Sequence, residues 1–194
     1  MANSLDLIKA NFAEAEKHLK SFMANEENLQ KIDKAADILV EAIKADNKII
    51  SCGNGGSMCD AMHFAEELSG RFRKNRKALP AISISDASHI TCTANDYGFE
   101  EIFSRFVEGI GKQGDALLAI STSGNSANVI KAAEAARQKG MKVIGLTGKD
   151  GGQLAGLCDI ELRAPQSDFA DRCQEIHIKI IHSLIHAVEH KLGL

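Results

Sequence analysis

Two segments of this sequence share a local pattern in which an apolar run ends in glycine and hydroxyl residues and a helix-forming stretch follows. The run at 48–52 leads into the loop GNGGS at 53–57, and the run at 116–120 leads into STSGNS at 121–126. Glycine lets the backbone approach a ligand closely, free N–H groups at a helix N-terminus attract anions, and hydroxyl groups add neutral donors. The repeated pattern predicts that the chain binds a phosphorylated small molecule.

Short β-rich runs alternate with helical segments beyond position 46. Continuous apolar strands between helices predict an α/β fold, a parallel sheet covered by helices on both faces. Ligands of such sheets bind at the C-terminal ends of the strands, and both glycine-hydroxyl loops lie at that edge. The strands are predicted at 48–52, 81–84, 116–121, 142–147 and 160–163, and helices are expected to start near 57, 85, 99, 126, 151 and 168.

The first 46 residues predict a pair of amphipathic helices, because apolar side chains recur at steps of three and four over 5–22 and again over 29–43. Such a narrow apolar stripe along a helix suits packing against other helices, either in the core of this chain or in another copy of it. Packing between copies is our preferred interpretation, since the phosphate-loop pattern begins only after residue 47. We expect one domain over 1–194, with 1–46 as a helical extension used in oligomer packing.

Composition and motif spacing exclude several classes of function. A net charge of −3 and an isoelectric point near 6.2 argue against nucleic-acid binding, which requires a basic surface. The loop at 53–57 lacks the spacing of a dinucleotide fingerprint, and no Gly-Lys-Ser/Thr sequence marks a nucleotide-binding P-loop. Neither a nicotinamide cofactor nor a nucleoside triphosphate is indicated.

The five cysteines are odd in number and include no CxxC pair, so we interpret them as reduced, buried thiols. The sequence starts with a polar helical stretch rather than a basic and apolar leader, and no apolar run approaches the ~18 residues of a membrane span. These features predict a cytoplasmic protein that does not act at a membrane.

The helix after the first loop carries the first candidate chemical group. Ser57 and Asp60 have the spacing of a capping box. His63 and Glu67 lie four positions apart, so they share a helix face at about 6 Å along the axis and can reach one metal or one substrate. Such pairs are often simple surface contacts. The position of this pair directly behind a phosphate loop favours a functional role.

The C-terminal helix is rich in histidine, and its spacing leaves two interpretations open. His182, His186 and His190 recur every four residues, which would permit metal binding along one stripe. The apolar residues of this helix indicate that most of it is buried, and His186 and His190 are more simply interpreted as solvated or capping residues. Gln174 and His182 can line one broad groove. Spacing alone does not favour them over His186.

Six motifs follow one another along the chain: SCGNGGS at 51–57, HFAEEL at 63–68, AND at 94–96, ISTSGNS at 120–126, LTGKDGG at 146–152 and RCQEIH at 172–177. In this order they resemble the sugar isomerase (SIS) domain proteins, and within them the phosphoheptose isomerase family. The resemblance extends over essentially the whole chain, including the N-terminal helix pair.

The resemblance implies a doubly wound five-stranded parallel sheet and a homotetramer with active sites between subunits. It implies an aldose–ketose isomerase that converts sedoheptulose 7-phosphate to D-glycero-D-manno-heptose 7-phosphate through an enediol. That reaction is the first step towards ADP-heptose and the lipopolysaccharide core. A small sugar phosphate and other copies of the chain are therefore the expected partners.

The resemblance also implies roles for individual residues, each at the position that matches a family motif. The acid/base pair would be Glu67 and His182. One Zn²⁺ per subunit would be held by His63, Glu67, Gln174 and His182. The phosphate would be bound by Ser121, Thr122, Ser123 and Ser126 with assistance from Ser57. The sugar would be lined by Asn54, Gly55, Gly56, Asn95 and Asp96, with Gln174, Arg71 and Asp171 close to it.

Two alternatives accompany this interpretation. A non-catalytic SIS-domain protein could bind a sugar phosphate or a partner such as a replication initiator, but related binding proteins lack the residues that match Glu67 and His182. An isomerase of another phosphorylated ketose would share both ends of the substrate. Pocket depth would then set the chain length of the sugar, and the sequence does not give that depth.

Overall fold

The computed structural model describes residues 3–194, which form eight α-helices and five β-strands. A single 3₁₀ turn at Phe99–Glu101 precedes the fifth helix. The helices are α1 (Ser4–Ala24), α2 (Glu26–Lys44), α3 (Gly56–Ser69), α4 (Ala87–Tyr97), α5 (Ser104–Ile110), α6 (Ala127–Gln138), α7 (Gly152–Ala155) and α8 (Ala170–Leu192). The strands are β1 (Ile49–Gly53), β2 (Ala81–Ser83), β3 (Ala116–Ser121), β4 (Lys142–Thr147) and β5 (Ile160–Arg163).

The five strands form one parallel sheet in the order β2-β1-β3-β4-β5, which confirms the predicted fold class. The chain runs from β1 outward to β2, then returns to β3 and continues outward through β4 to β5. Strand order therefore reverses between β1 and β3, and ligands of doubly wound sheets bind at such a switch point. Gly53 pairs with Ile120 in register, so the two glycine-hydroxyl loops leave the sheet side by side at this point.

Helices cover the sheet on both faces because alternate strand residues point to opposite sides. Leu118 and Ile120 of β3 belong to a core cluster with side chains of α2, α3 and α8. Leu117 and Ala119 of the same strand belong to a second cluster with side chains of α5 and α6. Both faces of β3 are thus buried, as its uninterrupted apolar sequence predicts.

The two N-terminal helices differ in what they pack against. In α2, Ile32, Ala36 and Leu39 are buried in the cluster that also contains α8, so this helix belongs to the core of the chain itself. In α1, Leu5 and Phe12 remain 52% and 75% exposed. A role of the pair in oligomer packing stays a prediction, and the apolar residues exposed on α1 are its physical basis.

The predicted capping box at the start of α3 is wrong. The helix begins at Gly56, and the N-cap position is Gly55, which has a φ of 54° and no side-chain cap. Because glycine adopts this left-handed conformation readily, the helix starts one residue before Ser57. Ser57 is therefore buried in the first turn, where its N–H donates to the carbonyl of Asn54 at 3.0 Å.

None of the helices within residues 3–194 combines the length and the hydropathy that a membrane span requires.

A buried hydrogen bond from His177 links α8 to the end of β4. The side chain is completely buried, and its Nε2 lies 2.8 Å from the carbonyl oxygen of Thr147, to which the ring N–H donates. Burial lowers the pKa of His177 from 6.5 to about 4, although the bond to Thr147 opposes the shift. The ring is therefore neutral in the folded protein at neutral pH.

We expect His177 to make folding less favourable as pH falls from 6.5 towards 4. In that range the unfolded chain takes up a proton that the folded chain does not, and the loss reaches about 3 kcal/mol. The free energy of unfolding, measured by urea titration at pH 7.5 and 4.5, should fall less in His177→Leu than in the unaltered protein. His190→Gln, at an exposed position of the same helix, is the control. Equal pH dependence in all three proteins would contradict this role.

Candidate active site

The second glycine-hydroxyl loop joins β3 to α6 and has the form of an anion site. Ser121 Oγ lies 3.0 Å from Ser126 Oγ, and the N–H of Asn125 donates to Ser123 Oγ at 3.1 Å. Ser126 occupies the N-cap of α6 but makes no side-chain cap bond to the helix. Its hydroxyl and the first N–H groups of α6 can therefore bind a ligand oxygen.

Close contact with the segment before α7 holds this loop in place. Gly124 has a φ of 66°, and a Cβ at this position would overlap the carbonyl of Gly151. The carbonyl of Gly124 accepts a hydrogen bond from Leu154 N–H at 3.0 Å. Only glycine fits here, so the hydroxyl groups of the loop are held on a rigid backbone.

The first glycine loop is linked to the second through a pair of amide side chains. Asn54 and Asn128 exchange two hydrogen bonds, at 2.8 and 2.9 Å, and Asn128 is buried on α6. This pair joins two segments 74 residues apart. Asn128 was not among the predicted site residues.

A cluster of imidazole and carboxylate groups lies between α3 and α8. The Nε2 atoms of His63 and His182 are 3.0 Å apart, and His63 Nε2 is 3.5 Å from Glu67 Oε1. The other ring nitrogen of His63, Nδ1, lies 3.3 Å from Glu66 Oε1. Glu67 is largely enclosed, with 17% of its side chain exposed. Three of the four predicted metal ligands are thus in one contact group, which also contains Glu66.

The electrostatics of the cluster favour a neutral His182. Burial lowers the pKa of His182 first of all, and the neighbouring His63 lowers it further, while Glu67 opposes both. On α3, burial raises the pKa of Asp60 to about 6, with a smaller opposing effect from His63. Asp60 Oδ2 is buried and has no hydrogen-bond partner within residues 3–194.

Gln174 lies on the side of the cluster nearest the first loop. A Cβ built on Gly56 would come within 2.5 Å of Gln174 Nε2, so the amide is packed directly against the first turn of α3. The absence of a side chain at Gly56 is what makes room for it. Gln174 therefore borders both the loop at 53–57 and the helix that carries His63.

Four predicted site residues lie apart from the loop at 121–126 and from the cluster of His63, Glu67 and His182. Asn95 and Asp96 are exposed on α4, where they hydrogen-bond to each other at 2.8 Å. Arg71 is exposed in the segment after α3, and Asp171 is exposed in the first turn of α8, where it accepts from Arg172 N–H. Within residues 3–194, no hydrogen bond joins these four side chains to the phosphate loop or to the histidine cluster.

The stripe of histidines on α8 is divided by its surroundings. His182 contacts His63, whereas His186 Nε2 lies 3.4 Å from Arg73 Nη1 and both His186 and His190 are exposed. An arginine beside His186 disfavours a bound cation there. In the part of the chain that the structure describes, the group of His, Cys, Asp and Glu side chains close enough to hold a metal is His63, Glu66 and Glu67.

Comparison with known proteins identifies the class to which this fold and site belong. The model of the SIS domain family matches residues 11–148. The chain therefore belongs to the SIS domain family.

Within that family, its relatives include phosphoheptose isomerases. The one from Escherichia fergusonii is 60% identical over 188 residues, which cover 97% of this chain and 98% of the relative. The one from Proteus mirabilis is 59% identical over 187 residues, covering 96% and 97%. The solved phosphoheptose isomerase from Neisseria gonorrhoeae has a TM-score of 0.90 at 38% identity, covering 97% of this chain and 100% of that chain. The enzyme from Francisella tularensis has a TM-score of 0.89 at 37% identity, with the same coverage.

Proposed function

We propose that this chain is an aldose–ketose isomerase that converts sedoheptulose 7-phosphate to D-glycero-D-manno-heptose 7-phosphate. Full-length similarity to phosphoheptose isomerases supports the reaction. The observation that carries the chemistry is the contact of His63 with both Glu67 and His182, in a chain that also has a hydroxyl-lined anion loop at the switch point of the sheet. An acid/base pair and a phosphate site are what this reaction needs.

The reaction moves one proton between two carbons and exchanges protons on their oxygens. Glu67 removes a proton from C1 of the ketose and returns it to C2. His182 accepts the proton of O1 and delivers a proton to O2, so the intermediate is an enediolate and no atom is gained or lost. A carboxylate suits the carbon-bound proton, and an imidazole that is neutral near pH 7 can donate and accept in turn.

The phosphate end of the substrate supplies binding energy far from the reacting carbons. In this proposal Ser121, Thr122, Ser123 and Ser126 bind the phosphate together with the N-terminus of α6, and Ser57 assists. Asn54, Gly55 and Gly56 border the sugar. The exposed positions of Asn95, Asp96, Arg71 and Asp171 are consistent with an active site completed by a neighbouring subunit in a homotetramer.

The donor set between α3 and α8 fits a zinc ion. Ligands of tetrahedral zinc at about 2.0–2.1 Å lie roughly 3.3 Å from each other, and the two separations here are 3.0 and 3.5 Å. In this proposal His63, Glu67, Gln174 and His182 hold one Zn²⁺ per subunit. When bound, it would act as a Lewis acid that polarises the carbonyl and favours negative charge on oxygen. Glu67 would have to be weakly coordinated to such an ion to act as base, because coordination lowers the proton affinity of a carboxylate.

The cellular setting is also part of the proposal. The five cysteines are all free, which fits the reducing cytoplasm. The prediction that all of them are buried is wrong for Cys59 and Cys92, which are exposed on helix surfaces. There the product would enter the synthesis of ADP-heptose for the lipopolysaccharide core.

An assay of ketose phosphates with seven, six and five carbons tests this function. We expect aldose formation to be most efficient with the seven-carbon substrate. Preference for a shorter sugar would make the chain an isomerase of another ketose phosphate. Binding without turnover of any of them would favour the non-catalytic alternative, which the presence of Glu67 and His182 in one contact group argues against.

Removing the hydroxyl groups of the phosphate loop should mainly weaken substrate binding. Each hydrogen bond to a charged group contributes about 1.5–3 kcal/mol, so losing two of them in Ser121→Ala combined with Thr122→Ala should raise KM by about 10²- to 10⁴-fold, with a smaller change in kcat. Steady-state kinetics would measure both constants. Ser21→Ala, at an exposed hydroxyl on α1, is the control. An unchanged KM in the double variant would contradict the assignment of this loop.

A further inference from the structure

Glu66 occupies a position that spacing alone did not single out, on the outer side of His63. We propose that Glu66 is a positioning residue: it accepts the Nδ1–H of His63 and so keeps Nε2 of that ring unprotonated towards Glu67 and His182. The inference deepens the proposed function, on which it rests, by assigning one tautomer to one histidine of the site.

The helix places a carboxylate at each nitrogen of the His63 ring. Glu66 is three positions further along α3 and its Oε1 lies 3.3 Å from Nδ1, while Glu67 is four positions further and its Oε1 lies 3.5 Å from Nε2. Residues at these spacings are neighbours on a helix surface. A neutral imidazole has a single N–H, so only one of the two carboxylates can accept a hydrogen bond from it.

The contacts of both ring nitrogens decide between the two tautomers of His63. His63 Nε2 also faces His182 Nε2 at 3.0 Å, and two ring nitrogens at this distance need one donor and one acceptor. With the proton on Nδ1, the lone pair of His63 Nε2 accepts from His182, and Glu66 receives the Nδ1–H. With the proton on Nε2, the lone pair of Nδ1 would face the negative charge of Glu66. In the first tautomer the lone pair of Nε2 also faces Glu67 at 3.5 Å, but there it accepts the N–H of His182, whereas the described residues offer Nδ1 only the acceptor Glu66. Glu66 therefore favours the first tautomer.

This tautomer has two consequences for the site. The lone pair of His63 points into the space shared with Glu67 and His182, which is the form this ring needs to bind a metal, whereas His182 would have to move its own proton from Nε2 to Nδ1 on binding. Glu67 receives no hydrogen bond from His63, so His63 does not compete with the substrate for its carboxylate. Carboxylates that orient a ligating histidine in this way typically change metal affinity 10- to 100-fold.

The test compares Glu66→Ala with Glu134→Ala. Glu134 is an exposed glutamate on α6, so both variants make the same change on a helix surface and only one removes the partner of His63. Side-chain ¹⁵N NMR of metal-free protein reports the tautomer, and the His63 signals are assigned by their loss in His63→Gln. Zinc affinity is measured by competition with a chromophoric chelator.

We expect Nδ1 of His63 to carry the proton in the unaltered protein and in Glu134→Ala, and the two nitrogens to share it in Glu66→Ala. Zinc affinity should fall about 10- to 100-fold in Glu66→Ala alone. A proton on Nε2 in the unaltered protein overturns the proposal, as does an unchanged tautomer in Glu66→Ala. If the unaltered protein shows the expected tautomer but neither binds zinc nor isomerises a ketose phosphate, the proposed function fails and the role of Glu66 stands.

Discussion

Replacing Glu67 by glutamine should lower kcat by about 10²- to 10⁴-fold, the range that a positioned acid/base group contributes. Glutamine has nearly the same shape as glutamate but cannot take a proton from carbon. The side chain is largely enclosed beside His63, so water has little room to replace it as base. KM should change only a few-fold, because the binding energy comes from the phosphate loop on another element.

Two measurements separate loss of chemistry from loss of folding or binding. Steady-state kinetics give kcat and KM, and exchange of the C1 proton of the ketose with deuterated water reports the first proton transfer directly. Turnover and exchange of the C1 proton should both fall in Glu67→Gln, while titration with the substrate still shows binding. Glu134→Gln, on the surface of α6, should behave as the unaltered protein. Exchange at the normal rate in Glu67→Gln would assign the base to another group.

The sheet could be predicted from the sequence because its signals are local. Each strand is a short β-rich run between helical stretches, and β3, β4 and β5 begin and end where the pattern places them. The partner against which the apolar face of a helix packs is not encoded locally in the sequence. The apolar stripes of α1 and α2 look alike, yet Leu39 of α2 is buried in the core of the chain and Phe12 of α1 is exposed.

The same distinction applies to the candidate site. The phosphate loop and the spacing of His63 and Glu67 are visible within one segment of sequence. The contact between His63 and His182 spans 119 residues, and spacing on α8 could not separate His182 from His186. The resemblance made that choice, and the structure supplies a physical difference, since His182 faces His63 while His186 faces Arg73.

Two features of the site had no usable signal in the sequence, and one signal at its border was misleading. The amide pair of Asn54 and Asn128 depends on two loops meeting at the switch point of the sheet. The orientation of Glu66 depends on the rotamer of the neighbouring His63 ring. The capping box failed for a different reason, because Ser57 and Asp60 have the correct spacing but the left-handed Gly55 starts the helix earlier.

Replacing His182 by glutamine should also reduce kcat by about 10²- to 10⁴-fold, since glutamine can neither release nor take up a proton at the substrate oxygens.

Burial and the nearby His63 lower the pKa of His182, so the ring stays neutral to a lower pH than an ordinary imidazole. In the unaltered enzyme, kcat/KM should therefore fall on the acidic side with an apparent pKa below about 6.5, because a protonated ring cannot accept the O1 proton. Residual activity in His182→Gln should lack that acidic limb. His190→Gln, two turns further along the same helix, should keep it, and a pH profile of His182→Gln identical in shape to that of the control would remove His182 from the proton transfers.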